Sequence, residues 1–139
     1  MTVFLDANVF IYAVIQVPSA RDLQMAVANG SLVAKTSIAV LEEIWHVELR
    51  SKSVIPPGTT RATIELMRPL IEIDESTFTD ALNLAAPTTL GANDRVHVAT
   101  CRAHGITAIV TADSAFDGVA GLQRFDPLDG SAIESLLAV

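Results

Sequence analysis

The chain has a single cysteine and lacks both a membrane-spanning run and an export signal. With Cys101 alone, no disulfide can form within the chain, which is typical of proteins kept in a reducing compartment. No apolar run reaches the roughly 20 residues that cross a bilayer. The N-terminus, Met-Thr-Val-Phe-Leu-Asp, lacks the basic start of a signal peptide. We therefore expect a cytoplasmic protein that does not associate with a membrane.

Basic residues are also scarce. Nine Lys and Arg stand against sixteen Asp and Glu, which gives a formal net charge of −7. Proteins that bind nucleic acids usually carry a basic surface, because Lys and Arg displace counterions from phosphates. The charge alone therefore favours another kind of partner, unless several of the acids form a metal site whose bound cations neutralise them.

The length and the pattern of apolar residues predict one α/β domain that spans residues 1–139. Half of the residues are apolar, which is enough for a compact core. Short β-rich runs alternate with helical patterns, and this alternation favours a mainly parallel sheet. Strands are predicted at 2–6, 32–36, 70–73, 108–111 and 122–125. Helices are predicted near 7–15, 20–29, 38–51, 59–68, 76–86, 93–104 and 131–138.

Polar residues follow three of the predicted strands. Asp6 closes the first strand, Ser37 follows the second, and Asp113 lies just beyond the strand at 108–111. Each residue alone is most simply a helix cap or a turn former. In sheets of this type, however, ligands bind beyond the carboxyl ends of the strands. The joint placement of the three residues therefore indicates a site at that edge.

Two helices add further carboxylates. Asp94 shares a helix face with the apolar Val98 and Cys101, so it is predicted to point inward, where a carboxylate needs a function. His97 lies beside this face, and we interpret it as a surface or half-buried histidine. On the helix at 38–51, Glu42 and Glu43 lie at opposite edges of the apolar arc, so periodicity does not choose between them.

Several converging carboxylates cannot all stay ionised without cations. Oxygen ligands without a cluster of histidines or cysteines suit Mg²⁺ or Mn²⁺, and not Zn²⁺. A site of this kind can orient and ionise a water molecule and stabilise the leaving oxygen of a phosphodiester.

Four segments resemble the signature blocks of PIN-domain nucleases, in the order and spacing of that family. The segments are Phe4–Tyr12, Thr36–Ile44, Asn93–Thr100 and Ile109–Asp117. Among PIN domains, the chain is most similar to the compact bacterial toxins of VapBC toxin–antitoxin pairs. The resemblance implies a three-layer α/β/α fold and the cleavage of RNA with Mg²⁺, or possible Mn²⁺, as the cofactor.

The resemblance also assigns residues. It implies that the catalytic and metal-binding acids are Asp6, Glu43, Asp94 and Asp113. The family's interval from serine to glutamate, here Ser37 to Glu43, selects Glu43 over Glu42. The resemblance further implies that Asn8 and Ser37 support the metal site. It offers Asp117 as a residue that assists through water, although the family treats that position loosely and a turn-forming role is the simpler interpretation. Asn93 departs from the pattern, because similar toxins often carry a basic residue there.

The resemblance implies partners as well. It implies an RNA substrate and a cognate antitoxin with a DNA-binding N-terminus and a flexible, basic C-terminal tail. We expect apolar residues of this tail to dock near Trp45 and Leu49. These two side chains are also candidates for a subunit contact, since we expect a homodimer.

Other readings fit less well. Phosphatases of the haloacid-dehalogenase type carry a second aspartate two residues after the first, and position 8 is Asn here. A receiver domain needs a late lysine, and Lys35 and Lys52 are the only lysines. A housekeeping PIN-domain ribonuclease and a non-catalytic acidic binding module remain as alternatives.

Overall fold

All four strands of the described sheet run parallel. The computed structural model describes residues 1–50 and 54–138. It contains β1 (Thr2–Leu5), β2 (Val33–Lys35), β3 (Ala108–Val110) and β4 (Gln123–Phe125), in the order β2-β1-β3-β4. Residues 3–5 and 108–110 of the two central strands are buried. Strands buried in this way need helices on both faces, and the predicted three-layer α/β/α architecture is confirmed.

Seven helices surround the sheet. They are α1 (Ala7–Val14), α2 (Pro18–Ala28), α3 (Ile38–Arg50), α4 (Thr59–Met67), α5 (Glu75–Leu82), α6 (Ala92–Ala103) and α7 (Gly130–Leu137). A short 3-10 helix covers Ser114–Gly118. α5 packs against α6, whereas α1 contacts α2 and α3, α3 contacts α4, and α2 contacts α7. Among the described residues, no helix combines the length and the apolar character that crossing a bilayer requires.

The predicted strand at 70–73 is wrong. Only Ile71 pairs with the sheet, through one parallel bridge to Ser37, just beyond β2. Its amide donates to Thr36 O at 2.9 Å, and its carbonyl accepts from Ile38 N at 3.1 Å. Asp74 caps α5 three residues later, so the segment leaves the sheet after this single pairing. The predicted strand at 122–125 is β4.

One helix end differs clearly from the prediction, and another cannot be compared. α5 ends at Leu82, short of the predicted 86, and Asn83 is its C-cap. The amide of Asn83 still donates to Thr79 O and Asp80 O, both at 3.2 Å, and the chain leaves the helix after this residue. α3 is described to Arg50, and the predicted end at 51 lies outside the described residues.

The carboxyl ends of three strands are aligned at one edge of the sheet. The amide of Asp6, just after β1, donates to Val110 O at 3.1 Å at the end of β3. On the other side of β1, the Thr36 hydroxyl donates to Leu5 O at 2.8 Å. α1 begins directly after Asp6, and α3 begins directly after Ser37. This alignment brings the residues that follow the strands to one place.

Candidate metal centre

Asp6 is a buried carboxylate that also caps a helix. Only 4% of the residue is exposed. Its Oδ1 accepts from the amide of Ala7, the first residue of α1, at 2.8 Å, and its Oδ2 accepts from the Thr111 hydroxyl at 2.7 Å. Burial raises the pKa of the Asp6 carboxyl above its usual range, although His97 and Thr111 oppose the shift. The cap therefore accounts for part of its position but leaves a buried charge that calls for a cation.

Glu43 reaches the same place from α3. Its Oε1 lies 2.8 Å from Nε2 of His97, and that nitrogen lies 3.6 Å from Oδ1 of Asp6. Asn93, in the first turn of α6, donates its side-chain amide to the same oxygen of Glu43. Glu42 is exposed, whereas Glu43 is partly buried. Ligand atoms of Asp6, Glu43 and His97 all lie within 4.8 Å of one another.

Asp94 and Asp113 form the other side of the cluster. Asp94 lies in the first turn of α6, and Asp113 caps the 3-10 helix by accepting from Ala115 N at 2.9 Å. Burial, the negative charge of Asp6 and the neighbouring Asp113 raise the pKa of Asp94 to about 7, against the opposing effect of His97. Asp94 thus interacts electrostatically with Asp6 and Asp113, while the closely spaced ligand atoms among the described residues belong to Asp6, Glu43 and His97. The four acids that the sequence singled out therefore lie around one place, and their joint role in binding a metal stays a prediction.

Two of the three supporting residues hold the backbone around these acids. The side-chain amide of Asn8 donates to Thr111 Oγ1 and accepts from Ala112 N, both at 3.2 Å. Ser37 is fully buried, and its hydroxyl accepts from Val40 N at 3.4 Å, in the first turn of the helix that carries Glu43. Both residues therefore fix segments that present carboxylates.

Asp117, the third supporting residue, is engaged elsewhere. Its two oxygens accept from Nε and Nη2 of Arg124, at 2.8 Å and 3.2 Å. This pairing lowers the pKa of Asp117 below its ordinary value. The ion pair joins the 3-10 helix to β4, and a metal-directed role for Asp117 stays a prediction.

Sequence reasoning missed two residues of the cluster. His97 is fully buried between Asp6 and Glu43, so its interpretation as a surface or half-buried residue was wrong. Its separation from Asp94 by three positions places both residues on one face of α6, which was the available signal. Thr111 is also fully buried and contacts Asp6 and Asn8, and its position at the end of β3 was the signal.

The donor set fits a divalent cation. Burial and mutual repulsion raise the pKa values of Asp6 and Asp94, so the surrounding protein groups compensate their charge incompletely. A bound cation would remove this imbalance. Four carboxylates form a hard, oxygen-rich environment, which suits Mg²⁺ or Mn²⁺ better than softer metals.

Two depressions lie beside the cluster along α3. The acid-side groove is lined by Ala39, Glu42, Glu43, His46, Val47, Arg50 and Asn93. The apolar groove, of about 480 Å³, lies between α3 and α4 and is lined by Ile38, Leu41, Glu42, Trp45, His46, Leu49, Thr60, Ile64 and Leu70. Trp45 and Leu49 are 54% and 62% exposed in this groove. Glu42 and His46 line both depressions, so the two adjoin at these side chains.

Comparisons with known proteins concern the family and the fold. The family model of the PIN domain matches residues 3–122. A VapC ribonuclease of Mycobacterium bovis and ribonuclease VapC13 of Mycobacterium tuberculosis are each 28% identical over 131 residues, which covers 88% of this chain and 98% of the relative. Among solved structures, VapBC2 of Rickettsia felis, bound to a DNA fragment from its promoter, aligns with a TM-score of 0.66 and 17% identity. That alignment covers 91% of this chain and 98% of the other, and at this identity it concerns the fold.

Proposed function

The chain belongs to the PIN-domain family, and we propose that it is a cytoplasmic, divalent-metal-dependent endoribonuclease that acts as the toxin of a toxin–antitoxin pair. The observation that carries the proposal is the convergence of Asp6, Glu43, Asp94 and Asp113 from four separate parts of the chain. Two relatives named as ribonucleases align over nearly the whole chain, which supports RNA as the substrate.

The four acids are the residues that would hold Mg²⁺ or, alternatively, Mn²⁺. Bound there, the cation would supply an activated water molecule and offset the negative charge of the phosphodiester. The other side chains orient the acids. The Ala7 amide and the Thr111 hydroxyl hold the two oxygens of Asp6, while His97 and Asn93 both contact one oxygen of Glu43. The carboxylates of Asp6 and Glu43 are thus oriented before a cation binds.

The acid-side groove offers a path for the RNA strand. It runs along α3 from Glu43 past His46 to Arg50, and these side chains change from acidic to basic along the helix. A phosphate next to the scissile one can contact Arg50 while the scissile phosphate lies at the acids. The net charge of −7 is compatible with this path, because part of the negative charge is concentrated where cations bind.

RNA cleavage by the purified protein tests the proposal. We expect cleavage with Mg²⁺ or Mn²⁺ and none with EDTA. Asp6→Asn and Asp94→Asn should abolish cleavage while the protein stays folded by thermal unfolding. Asp22→Asn, at an exposed position of α2, is the matched control and should cleave normally. Undiminished cleavage by either cluster variant, in a preparation free of other nucleases, would remove the proposed site.

The two adjoining grooves suit the tail of an antitoxin. A basic, amphipathic segment can place apolar residues against Trp45 and Leu49, cross Glu42 and His46, and direct an arginine to the acids. Such an arginine would compete with the cation for the same carboxylates. We also propose a homodimer, and the exposed apolar groove is where a second copy of this chain would bind.

Two alternatives are distinguished by the same experiments. A non-catalytic acidic binding module would bind metal without cleaving RNA, and the presence of all four acids argues against it. A housekeeping PIN-domain ribonuclease would cleave RNA in a metal-dependent way but would not arrest growth when expressed alone. Growth arrest that is relieved by co-expressing a neighbouring gene supports the toxin role.

A further inference from the structure

The imidazole of His97 is fully buried at the centre of the acid cluster. Its Nε2 lies 2.8 Å from Glu43 Oε1, and the ring packs against Phe4 with the ring centroids 5.6 Å apart. Within residues 1–50 and 54–138, Nδ1 has no hydrogen-bond partner although it is buried. The two ring nitrogens therefore have very different surroundings.

This difference distinguishes two roles for His97: a ligand of the metal, or a residue that positions Glu43. To bind a metal, Nε2 must lose its proton, and the neutral ring then carries its proton on Nδ1. Metal-binding histidines almost always donate that second N–H to a carboxylate, a carbonyl or a water molecule. No described protein group accepts from Nδ1 of His97, so ligation would bury an unpaired donor, which is unfavourable. When Nε2 keeps its proton, the hydrogen bond to Glu43 forms and Nδ1 need not donate.

We propose that His97 is a positioning residue, which holds Glu43 beside Asp6 by donating its Nε2 proton and does not itself bind the metal. The inference rests on the proposed function, because it concerns the residues that would hold the cation. Glu43 needs such an anchor, since its side chain is long, is 27% exposed and comes from a different helix. Asn93 contacts the same oxygen from an exposed position, whereas His97 is fixed by the core around it.

The two roles predict different metal preferences. Loss of a group that orients a ligand typically lowers metal affinity by about 10–100-fold. If all metal ligands are oxygens, the affinities for Mg²⁺ and Mn²⁺ should fall by a similar factor. If Nε2 were a ligand, its loss should weaken Mn²⁺ far more than Mg²⁺, because imidazole suits transition metals better than Mg²⁺.

A matched pair of variants tests the proposal. The side-chain amide of His97→Gln can replace the Nε2–H donor, whereas His97→Met has a similar length and no donor. Mn²⁺ affinity is measured by calorimetric titration of the full chain without RNA, and Mg²⁺ affinity by competition. We expect His97→Met to lose about tenfold or more for both metals and His97→Gln to recover most of that loss. In a Glu43→Gln background, His97→Met should cause no further loss.

Two results would overturn the proposal: a loss restricted to Mn²⁺ in both variants, or an unchanged affinity in His97→Met. Thermal unfolding in EDTA shows whether the variants fold. If His97→Met does not fold, His97→Asn replaces it with the same expectation, because its amide is too short to reach Glu43. Failure of the unmutated chain to bind either metal would instead remove the proposed function.

Discussion

The hydroxyl of Thr111 donates to Oδ2 of Asp6 across 2.7 Å and thereby joins two residues 105 positions apart. The Thr111 hydroxyl oxygen in turn accepts from the side-chain amide of Asn8 and from the backbone amide of Asp113, both at 3.2 Å. A hydroxyl has one proton to donate and two lone pairs to accept, and all three are used here. The orientation of the first acid is therefore coupled to the backbone that carries the fourth.

Thr111→Val should reduce RNA cleavage by about tenfold or more, because it keeps the shape of the side chain and removes all three hydrogen bonds. Thr111→Ser, which keeps the hydroxyl, is the matched control and should retain most of the activity. Initial rates at saturating Mg²⁺, with thermal unfolding as the test of folding, measure the effect. A well-folded Thr111→Val protein that cleaves at the normal rate would show that this coupling is unimportant.

Neighbouring glutamates on α3 provide a second comparison. Glu43 contacts His97 within the cluster, whereas Glu42 is exposed and lines the grooves. Glu43→Gln should lower the cleavage rate by at least about a hundredfold, in line with the loss of a group that acts on the reacting centre. Glu42→Gln should change it by less than about threefold, the size of a weak surface interaction. The reverse order of effects would mean that Glu42 is the functional acid.

Most of the sheet and the placement of Asp6, Asp94 and Asp113 beside it could be predicted because these signals are local, while the catalytic and metal-binding roles of the acids stay a prediction. Asp6 and Asp113 directly follow apolar strands, and Asp94 lies on a helix face with Val98 and Cys101, which are both buried. The choice between Glu42 and Glu43 needed the family pattern, since both lie at edges of the apolar arc. The structure confirms only that Glu43 is the one placed in the cluster.

Contacts between distant segments were beyond the sequence. The spacing of His97 from Asp94 indicates which face of α6 it shares, but the burial of its ring depends on Asp6 and Glu43, which come from other elements. The false strand at 70–73 has the same cause. Its apolar alternation is typical of a strand, but pairing requires a neighbour, and among the described residues only Ser37 pairs with it.

Stability without metal should depend on pH through Asp94. Its pKa of about 7 in the folded chain compares with about 3.9 in an unfolded chain. A raised carboxyl pKa means that the folded state binds more protons, so stability is greatest at low pH and is lost as the pH rises from about 4 to about 7. Asp6, whose pKa is raised by burial, acts in the same direction, so Asp94 carries part of the dependence.

We therefore expect the melting temperature in EDTA to fall between pH 5 and pH 8. Asp94 is only partly buried, so solvent screening reduces the effect to about 1–2 kcal/mol, or roughly 2–6 °C. Asp94→Asn should flatten this dependence, and Asp80→Asn, at an exposed position of α5, should preserve it. A melting temperature that rises over this range would contradict the assignment.

Variants of Asp117 and Arg124 show whether the carboxylate of Asp117 contributes to RNA cleavage as a fifth acid. Arg124 binds both oxygens of Asp117 and also donates to Thr111 O at 3.1 Å, so the pair supports the end of β3. An exposed ion pair contributes about 0–1 kcal/mol, so Asp117→Asn and Arg124→Gln should each lower cleavage by less than about fivefold. The double variant should be no worse than the poorer single variant. Loss of activity in Asp117→Asn alone would instead indicate that its carboxylate acts on the metal.

The final prediction concerns the partner. If an antitoxin tail occupies the apolar groove, Trp45→Ala should weaken the complex by about thirtyfold or more, since exposed tryptophans that become buried dominate such interfaces. Leu82→Ala, at a 72% exposed residue of α5 outside the groove, is the matched control and should bind normally. Co-purification with the product of the adjacent gene, followed by titration of the isolated components, measures the effect.

The same variants separate the antitoxin from a second copy of the chain. If Trp45→Ala converts a dimer to a monomer by light scattering but leaves the complex intact, the apolar groove is the subunit contact. Neutralising Asp6 or Asp94 should also weaken the complex, because an arginine of the tail would lose its carboxylate partner. A complex that tolerates all three changes would place the antitoxin elsewhere.

Expression of the chain alone tests the toxin role, since a toxin must harm the cell when its inhibitor is missing. If expression does not slow growth, or if no neighbouring gene relieves the growth arrest, the housekeeping ribonuclease becomes the better assignment.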